Sequence, residues 1–287
     1  MNPMIVAELS ANHNGSLDRA LALVEAAHAA GADAVKIQTF TPEQMADPDT
    51  VLTEGPWKGR HLLDLYREIH TPREWIPEIF ARAKDRGIEA FSSVFHPDDV
   101  AFLETLNCPR YKIASFELTD HVLIEAAART GKPIVISTGM GSMDEIRGAM
   151  LVAVCAQPKA GDLTLLQCTS AYPAPESEAN LARMVEMRAR YRTLVGLSDH
   201  TQGIGVAVAA VALGASMVEK HLTLRRSDGG PDAAFSMEPE EFAQLVVECR
   251  RAAAAIGTVT YGPTKSEAAS LPLRRPSGGK RGLTLTP

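Results

Sequence analysis

Eight short runs of β-branched and apolar residues recur along the chain, each followed by a segment with amphipathic-helix spacing. No other feature restricts the fold as strongly. Consecutive β-α units produce parallel strands, and a parallel sheet must be covered on its faces by the intervening helices. The pattern predicts strands at 5–8, 34–38, 89–93, 110–113, 133–137, 163–167, 194–197 and 217–221. It predicts helices at 16–30, 71–86, 97–105, 120–130, 142–157, 179–191, 203–213 and 239–256. Ser16 reads as the N-cap of the first helix and Pro72 as the first residue of the second. A long polar insertion, 39–70, follows the second strand. Eight β-α units within about 250 residues point to an α/β fold, the closed TIM (β/α)8 barrel. A doubly wound open sheet is the alternative. The barrel is expected over 1–260, with a linker-like tail over 261–287.

Charge and cysteine usage exclude several partners. Twenty-nine Lys and Arg against 35 Asp and Glu leave a formal net charge of −6, which offers no field for nucleic acid or an anionic membrane. The longest charge-free apolar stretch, 201–218, carries three glycines and divides at Gly214 into a helix and a strand, so no membrane span is expected. The N-terminus shows no basic segment leading into an apolar run. Cys108, Cys155, Cys168 and Cys249 are too scattered for a disulfide framework or a zinc cluster, which suits a reduced cytoplasm.

A barrel places its chemistry at the C-terminal strand ends. Those ends carry Glu8, Lys36 with Gln38, Ser92 with Ser93, Lys112 with Ser115, Ser137, Thr169 with Ser170, the run 198–200, and Lys220 with His221. Strand ends lie near solvent, and turn chemistry accounts for any single serine. It does not account for Lys36 and Lys112, which alternate with apolar neighbours in AVKIQ and RYKIA. An inward lysine must be paired or must bind an anion, because burying it alone is costly. Two ammonium groups with Ser93, Ser115, Ser137 and Ser198 suit a phosphate or a phosphate plus a carboxylate. His200 and His221 end neighbouring strands and converge either on a divalent cation or on core hydrogen bonds. Glu8 lies across the barrel closure from them. Asp232 can reach the same mouth, or simply serve a Pro-Asp turn. No Walker loop, dinucleotide fingerprint or G-x-S-x-G elbow is present. Cys168 has no evident base and reads as a buried barrel residue.

Seven segments resemble the sialic acid (nonulosonic acid) synthase family in order and spacing. They are AELSANHNGS (7–16), GADAVKIQTF (31–40), YKIASFEL (111–118), ISTGMGS (136–142), LLQCTSAYPAP (165–175), GLSDHT (196–201) and VEKHLTL (218–224). CTSAYPAP, HLLDLYREIHTP (61–72) and PDAAFSMEP (231–239) are most similar to the pseudaminic acid synthase branch. The resemblance implies a transferase that condenses phosphoenolpyruvate with an open-chain acetamido sugar. In that branch the sugar is 2,4-diacetamido-2,4,6-trideoxy-altrose. The N-acetylneuraminate and legionaminate synthases are the neighbouring alternatives, and a sugar-binding barrel without turnover is a more distant one.

The resemblance also implies roles. His200 and His221 match the holders of Mn2+ or Mg2+. Lys36, Lys112, Ser93, Ser115, Ser137, Ser170 and Ser198 match the phosphoenolpyruvate grip. Gln38, Glu117, Tyr172 and Asp232 match acceptor contacts. Glu8 is expected to orient or deprotonate the attacking water and Asp232 to handle sugar hydroxyl protons, and the two roles can be exchanged. Relatives dimerise and continue into a small antifreeze-like C-terminal domain, whose arginine reaches the partner's sugar site. The tail 261–287 is too short for that domain. The expectation is a lid-free enzyme, a domain supplied by a separate polypeptide, or an inactive product. Arg274 or Arg275 is either a substitute arginine or part of a solvated basic tail.

Overall fold

A computed structural model describes residues 2–54, 58–157 and 163–275. Contacts divide the chain into two units, Met1–Ala255 and Ile256–Pro287. In the first, eight parallel strands form a closed barrel paired in chain order. They are β1 Met4–Glu8, β2 Ala34–Thr39, β3 Glu89–Val94, β4 Tyr111–Ile113, β5 Ile134–Ser137, β6 Leu163–Cys168, β7 Leu194–Asp199 and β8 Met217–His221. β1 closes the barrel on β8, with Glu8 opposite His221. The open doubly wound alternative is therefore excluded, because that sheet would leave two edges.

The surrounding helices are α1 Leu17–Ala29, α2 Pro42–Met45, α3 Leu62–Ile69, α4 Ile76–Asp85, α5 Pro97–Thr105, α6 His121–Arg129, α7 Met143–Ala156, α8 Leu181–Tyr191, α9 Gly205–Ala212 and α10 Pro239–Ile256. Local chemistry sets their starts. The Ser16 hydroxyl accepts from the Arg19 amide to cap α1, and Ser142 and Glu145 cap α7 reciprocally. One expectation is corrected. The helix predicted over 71–86 begins only at Ile76, after a 3-10 turn at Arg73–Trp75, and Pro72 lies outside it. Pro77 explains this: it has no N–H to give the Arg73 carbonyl, which is harmless only within a first helical turn. The insertion 39–70 is likewise not merely polar loop, since it contains α2 and α3 and an antiparallel bridge between Val51 and His61.

Side chains alternate across each strand, so every second residue points into the barrel. Outward residues such as Val35, Ile113 and Val218 pack under the helices, where α1 buries Leu21, Leu23, Val24 and Ala27. Each such aliphatic burial contributes about 1.5–3 kcal/mol. Not every polar strand end faces the mouth. Lys220 points outward and donates to Asp199 at 2.7 Å and to the Thr201 carbonyl at 2.6 Å. Ser92 points outward to Thr39 at 2.7 Å. These contacts lie between the barrel and its helices, away from the mouth. Gly196 faces inward where a Cβ would lie 2.4 Å from the Met217 carbonyl oxygen, so only glycine lets β7 and β8 approach there. In the second unit, a 3-10 stretch at Ala268–Leu273 follows a turn in which Thr264 and Glu267 bond each other's amides.

Candidate active site

The inward residues at the C-terminal end of the barrel open into a cavity of about 430 Å3. On its floor Lys36 lies 2.5 Å from a Glu8 carboxylate oxygen and donates to the Ser93 hydroxyl at 2.9 Å. Lys112, one strand beyond β3, donates to Glu219 at 3.1 Å. Glu219 also accepts from Ser198 at 3.2 Å and lies 3.6 Å from Lys36. Two cations and two carboxylates thus form one chain across β1, β2, β4 and β8. All four groups are buried.

Their ionisation follows from this packing. Burial alone would raise the Glu219 carboxyl, but Lys112 and Lys36 outweigh it and hold it at about 2. For Glu8 burial prevails over Lys36, and its carboxyl titrates above the usual range. Burial also prevails at Lys112, which is lowered, whereas Glu219 and Glu8 overcome burial at Lys36 and raise it. Gln38 completes the floor by donating to Glu8 at 3.2 Å and to Ser10 at 3.0 Å.

Hydroxyls ring the lysines. Ser93, Ser115, Ser137 and Ser198 all line the cavity, and the buried Ser137 hydroxyl has no hydrogen-bond partner among the described residues. The Gly139 amide donates to Ser115 at 3.1 Å. A Cβ on Gly139 would come within 2.4 Å of the Ser170 hydroxyl and 2.7 Å of that of Ser115. Glycine therefore brings a backbone amide between two hydroxyls, an arrangement suited to phosphate oxygens. Ser170 stands just behind this point and does not itself line the cavity.

The two histidines face each other at 5.4 Å between ring centroids. His200 Nδ1 donates to the Thr169 carbonyl at 2.9 Å, and although burial opposes it, the Cys168 sulfur beside the ring raises the imidazole above its usual range. Among the described residues His221 Nδ1 is buried without a hydrogen-bond partner. Burial, and next the neighbouring His200, hold it well below the usual imidazole range, and so neutral. The neutral ring of His221 is the form that ligates a metal, whereas His200, oriented by a carbonyl, must give up a proton to do so. Among the described residues no group of three or more His, Cys, Asp or Glu side chains could enclose an ion. The pair offers at most two ligands to a cation, whose other positions would fall to water and substrate.

Around the histidines, Tyr172 lies 4.3 Å from the His200 ring and 5.2 Å from that of Phe235. Asp232 is buried in the same wall, accepts from the Ala11 amide at 3.3 Å, and is pushed up by burial. Glu117 enters from the turn after β4, and burial raises its carboxyl to about 7. Every residue expected in the site except Ser170 lines this one cavity.

Glu219, Ser10, Phe235 and Cys168 are among the lining residues that sequence reasoning did not place in the site. Glu219 was findable, since it shares the inward face of β8 with His221. Cys168 is buried as expected, but it has a neighbour. Its sulfur lies 3.9 Å from His200 Nδ1, and although burial raises the thiol, His200 brings it down to about 7.

A closed (β/α)8 barrel whose mouth gathers two buried lysines, a ring of hydroxyls and two facing imidazoles defines an enzyme built around a small anionic substrate. The chain belongs to the NeuB family, which matches residues 23–261. It is 43% identical to the pseudaminic acid synthase of Helicobacter pylori over 259 residues, 89% of this chain and 76% of that protein. It is 35% identical to the N,N'-diacetyllegionaminic acid synthase of Campylobacter jejuni, covering 96% of this chain and 83% of that one. The crystal structure of N-acetylneuraminic acid synthetase from Leptospira borgpetersenii, in complex with citrate, superposes with a TM-score of 0.84. It is 30% identical, over 94% of this chain and 90% of that one.

Proposed function

We propose that the chain is a pseudaminic acid synthase. It condenses phosphoenolpyruvate with open-chain 2,4-diacetamido-2,4,6-trideoxy-altrose to give the nine-carbon acid and phosphate. The observation that carries this reading is the joining of the lysine floor and the histidine pair in one cavity. One part suits the phosphate and carboxylate of phosphoenolpyruvate, and the other the carbonyl of the sugar. Identity of 41–43% to three proteins named pseudaminic acid synthase supports the choice of acceptor.

Lys36 and Lys112, with Ser93, Ser115, Ser137 and Ser198, hold phosphoenolpyruvate so that its C3 faces the sugar aldehyde. Ser170 supports this grip from behind Gly139. His200 and His221 would hold a divalent cation, Mn2+ or Mg2+, which would supply Lewis-acid polarisation of that aldehyde. C3 attacks the aldehyde carbon while positive charge develops at C2. Water adds to C2, and the tetrahedral intermediate expels phosphate with cleavage of the C–O bond. Glu8, whose carboxyl is raised by burial and which lies beside the floor, orients or deprotonates that water. Asp232, Gln38, Glu117 and Tyr172 contact the acceptor, with Asp232 taking up or returning its hydroxyl proton. We place the enzyme in the cytoplasm as a homodimer, consistent with its four free thiols.

The test is phosphate release from phosphoenolpyruvate with Mn2+ and, separately, the diacetamido-altrose, N-acetylmannosamine and the legionaminate precursor. Release with the first sugar, abolished by EDTA and by His221→Ala, is the expected result. Release with another sugar reassigns the branch. Silence with all three, while phosphoenolpyruvate still binds, overturns the synthase reading in favour of a binding barrel.

A further inference from the structure

Helix α3 carries Leu62, Leu65, Tyr66 and Ile69 at positions i, i+3, i+4 and i+7, and all four line the cavity. An amphipathic stripe normally seals against a core. Here it faces the space meant for substrate. Phe95 extends the same surface, and Phe40 braces both Tyr66 and Phe95 at 5.6 and 5.5 Å between ring centroids. Lys36 and Lys112 are the only Lys or Arg side chains among the described lining residues, and both lie on the floor with carboxylate partners. Glu117 also lines the cavity and, after burial, pushes the Tyr66 hydroxyl up. The stripe follows β2, whereas the histidines end β7 and β8, so β1 separates the two around the rim.

We propose that this face of α3 is the specificity element for the acceptor. It receives the sugar end remote from the reacting carbonyl and selects a methyl-bearing, uncharged end over a hydroxymethyl or a phosphate. The proposal rests on the reading that the acceptor reacts beside the histidines. A methyl group against Leu65 and Ile69 releases water from both surfaces. A hydroxyl there gives up its water against Leu65 and Ile69, which offer it no partner, and a phosphate finds no Lys or Arg among the described lining residues away from the floor.

The experiment is calorimetric titration with Mn2+ present and phosphoenolpyruvate absent, so that no turnover occurs. Three 2,4-diacetamido hexoses differing only at C6 serve as probes: 6-deoxy, 6-hydroxy and 6-phosphate. For the wild-type protein the Kd is expected to rise about tenfold from the 6-deoxy to the 6-hydroxy sugar, and further for the phosphate. Ile69→Asn, and Leu65→Asn if it folds, should narrow the first gap to about threefold or less. Separately titrated phosphoenolpyruvate should bind all forms alike. Ile69→Ala, checked by its thermal midpoint, guards against misfolding. Equal affinity for the three sugars, or an unchanged gap in a folded variant, overturns the proposal alone. No binding of any sugar overturns it together with the synthase reading.

Discussion

Glu117 reaches the cavity with one carboxyl oxygen buried and unpartnered among the described residues. Burial raises it from 4.5 to about 7, so in the folded protein it stays protonated over a pH range where the unfolded chain has ionised. Raising the pH through that window favours unfolding, and the penalty is complete above about pH 7. Glu117→Gln removes the ionisable group while keeping its shape. The variant should match the wild type in thermal midpoint at pH 4. At pH 8 it should exceed it by about 4–8 °C, corresponding to about 2 kcal/mol. Differential scanning calorimetry across pH 4–8 measures the difference, and a gap that is flat with pH contradicts the assignment. The neighbouring Lys112 shows the opposite arrangement, a buried charge held by a dedicated counter-charge on another strand.

Among elements, the strands were the most legible, because a barrel strand is short, β-branched and bounded on both sides. Lys36 and Lys112 could be placed inside from period-two alternation alone. The same rule places Glu219 inward with His221 and turns Lys220 and Asp199 outward, but attention to strand ends obscured it. Helix α4 was misjudged at its start because its rule depends on a single missing N–H at Pro77. Helix α3 was hidden by charged neighbours: Asp64, Arg67 and Glu68 made the insertion look polar although the 62/65/66/69 stripe is regular. The histidine pair stayed ambiguous because only tertiary contact shows which ring nitrogen is engaged. Strand closure gives its own test. Gly196→Ala forces a methyl against the Met217 carbonyl and the Leu166 side chain, 2.7 Å away, and should cost about 3 kcal/mol or more. Its thermal midpoint should fall by roughly 6–12 °C. Gly205→Ala, where nothing lies within 4 Å of the added atom, should leave the midpoint unchanged or slightly raised. Equal effects of the two substitutions contradict the close β7–β8 approach.

At the scale of the whole molecule, a cation held by His200 and His221, as proposed, would join the last two strands of the barrel and should stabilise the entire fold. A ligand that binds only the folded state at 100 times its Kd contributes about 2.7 kcal/mol. Saturating Mn2+ should then raise the thermal midpoint by about 5–10 °C. EDTA should reverse the rise, and His200→Ala/His221→Ala should lack it. An equal rise in the double variant places the cation elsewhere. No helix of the described residues is long and apolar enough to cross a membrane. The pairing of β1 with β8 has one more consequence, for the order in which the barrel comes into being. During synthesis the strand bearing Glu8 leaves the ribosome first among the eight, and the strand bearing His221 leaves last. The reactive centre lies across that seam. A nascent chain shorter than residue 221 therefore carries an open sheet with two exposed edges and no complete pocket. Catalytic competence therefore requires the two ends of the sheet to meet.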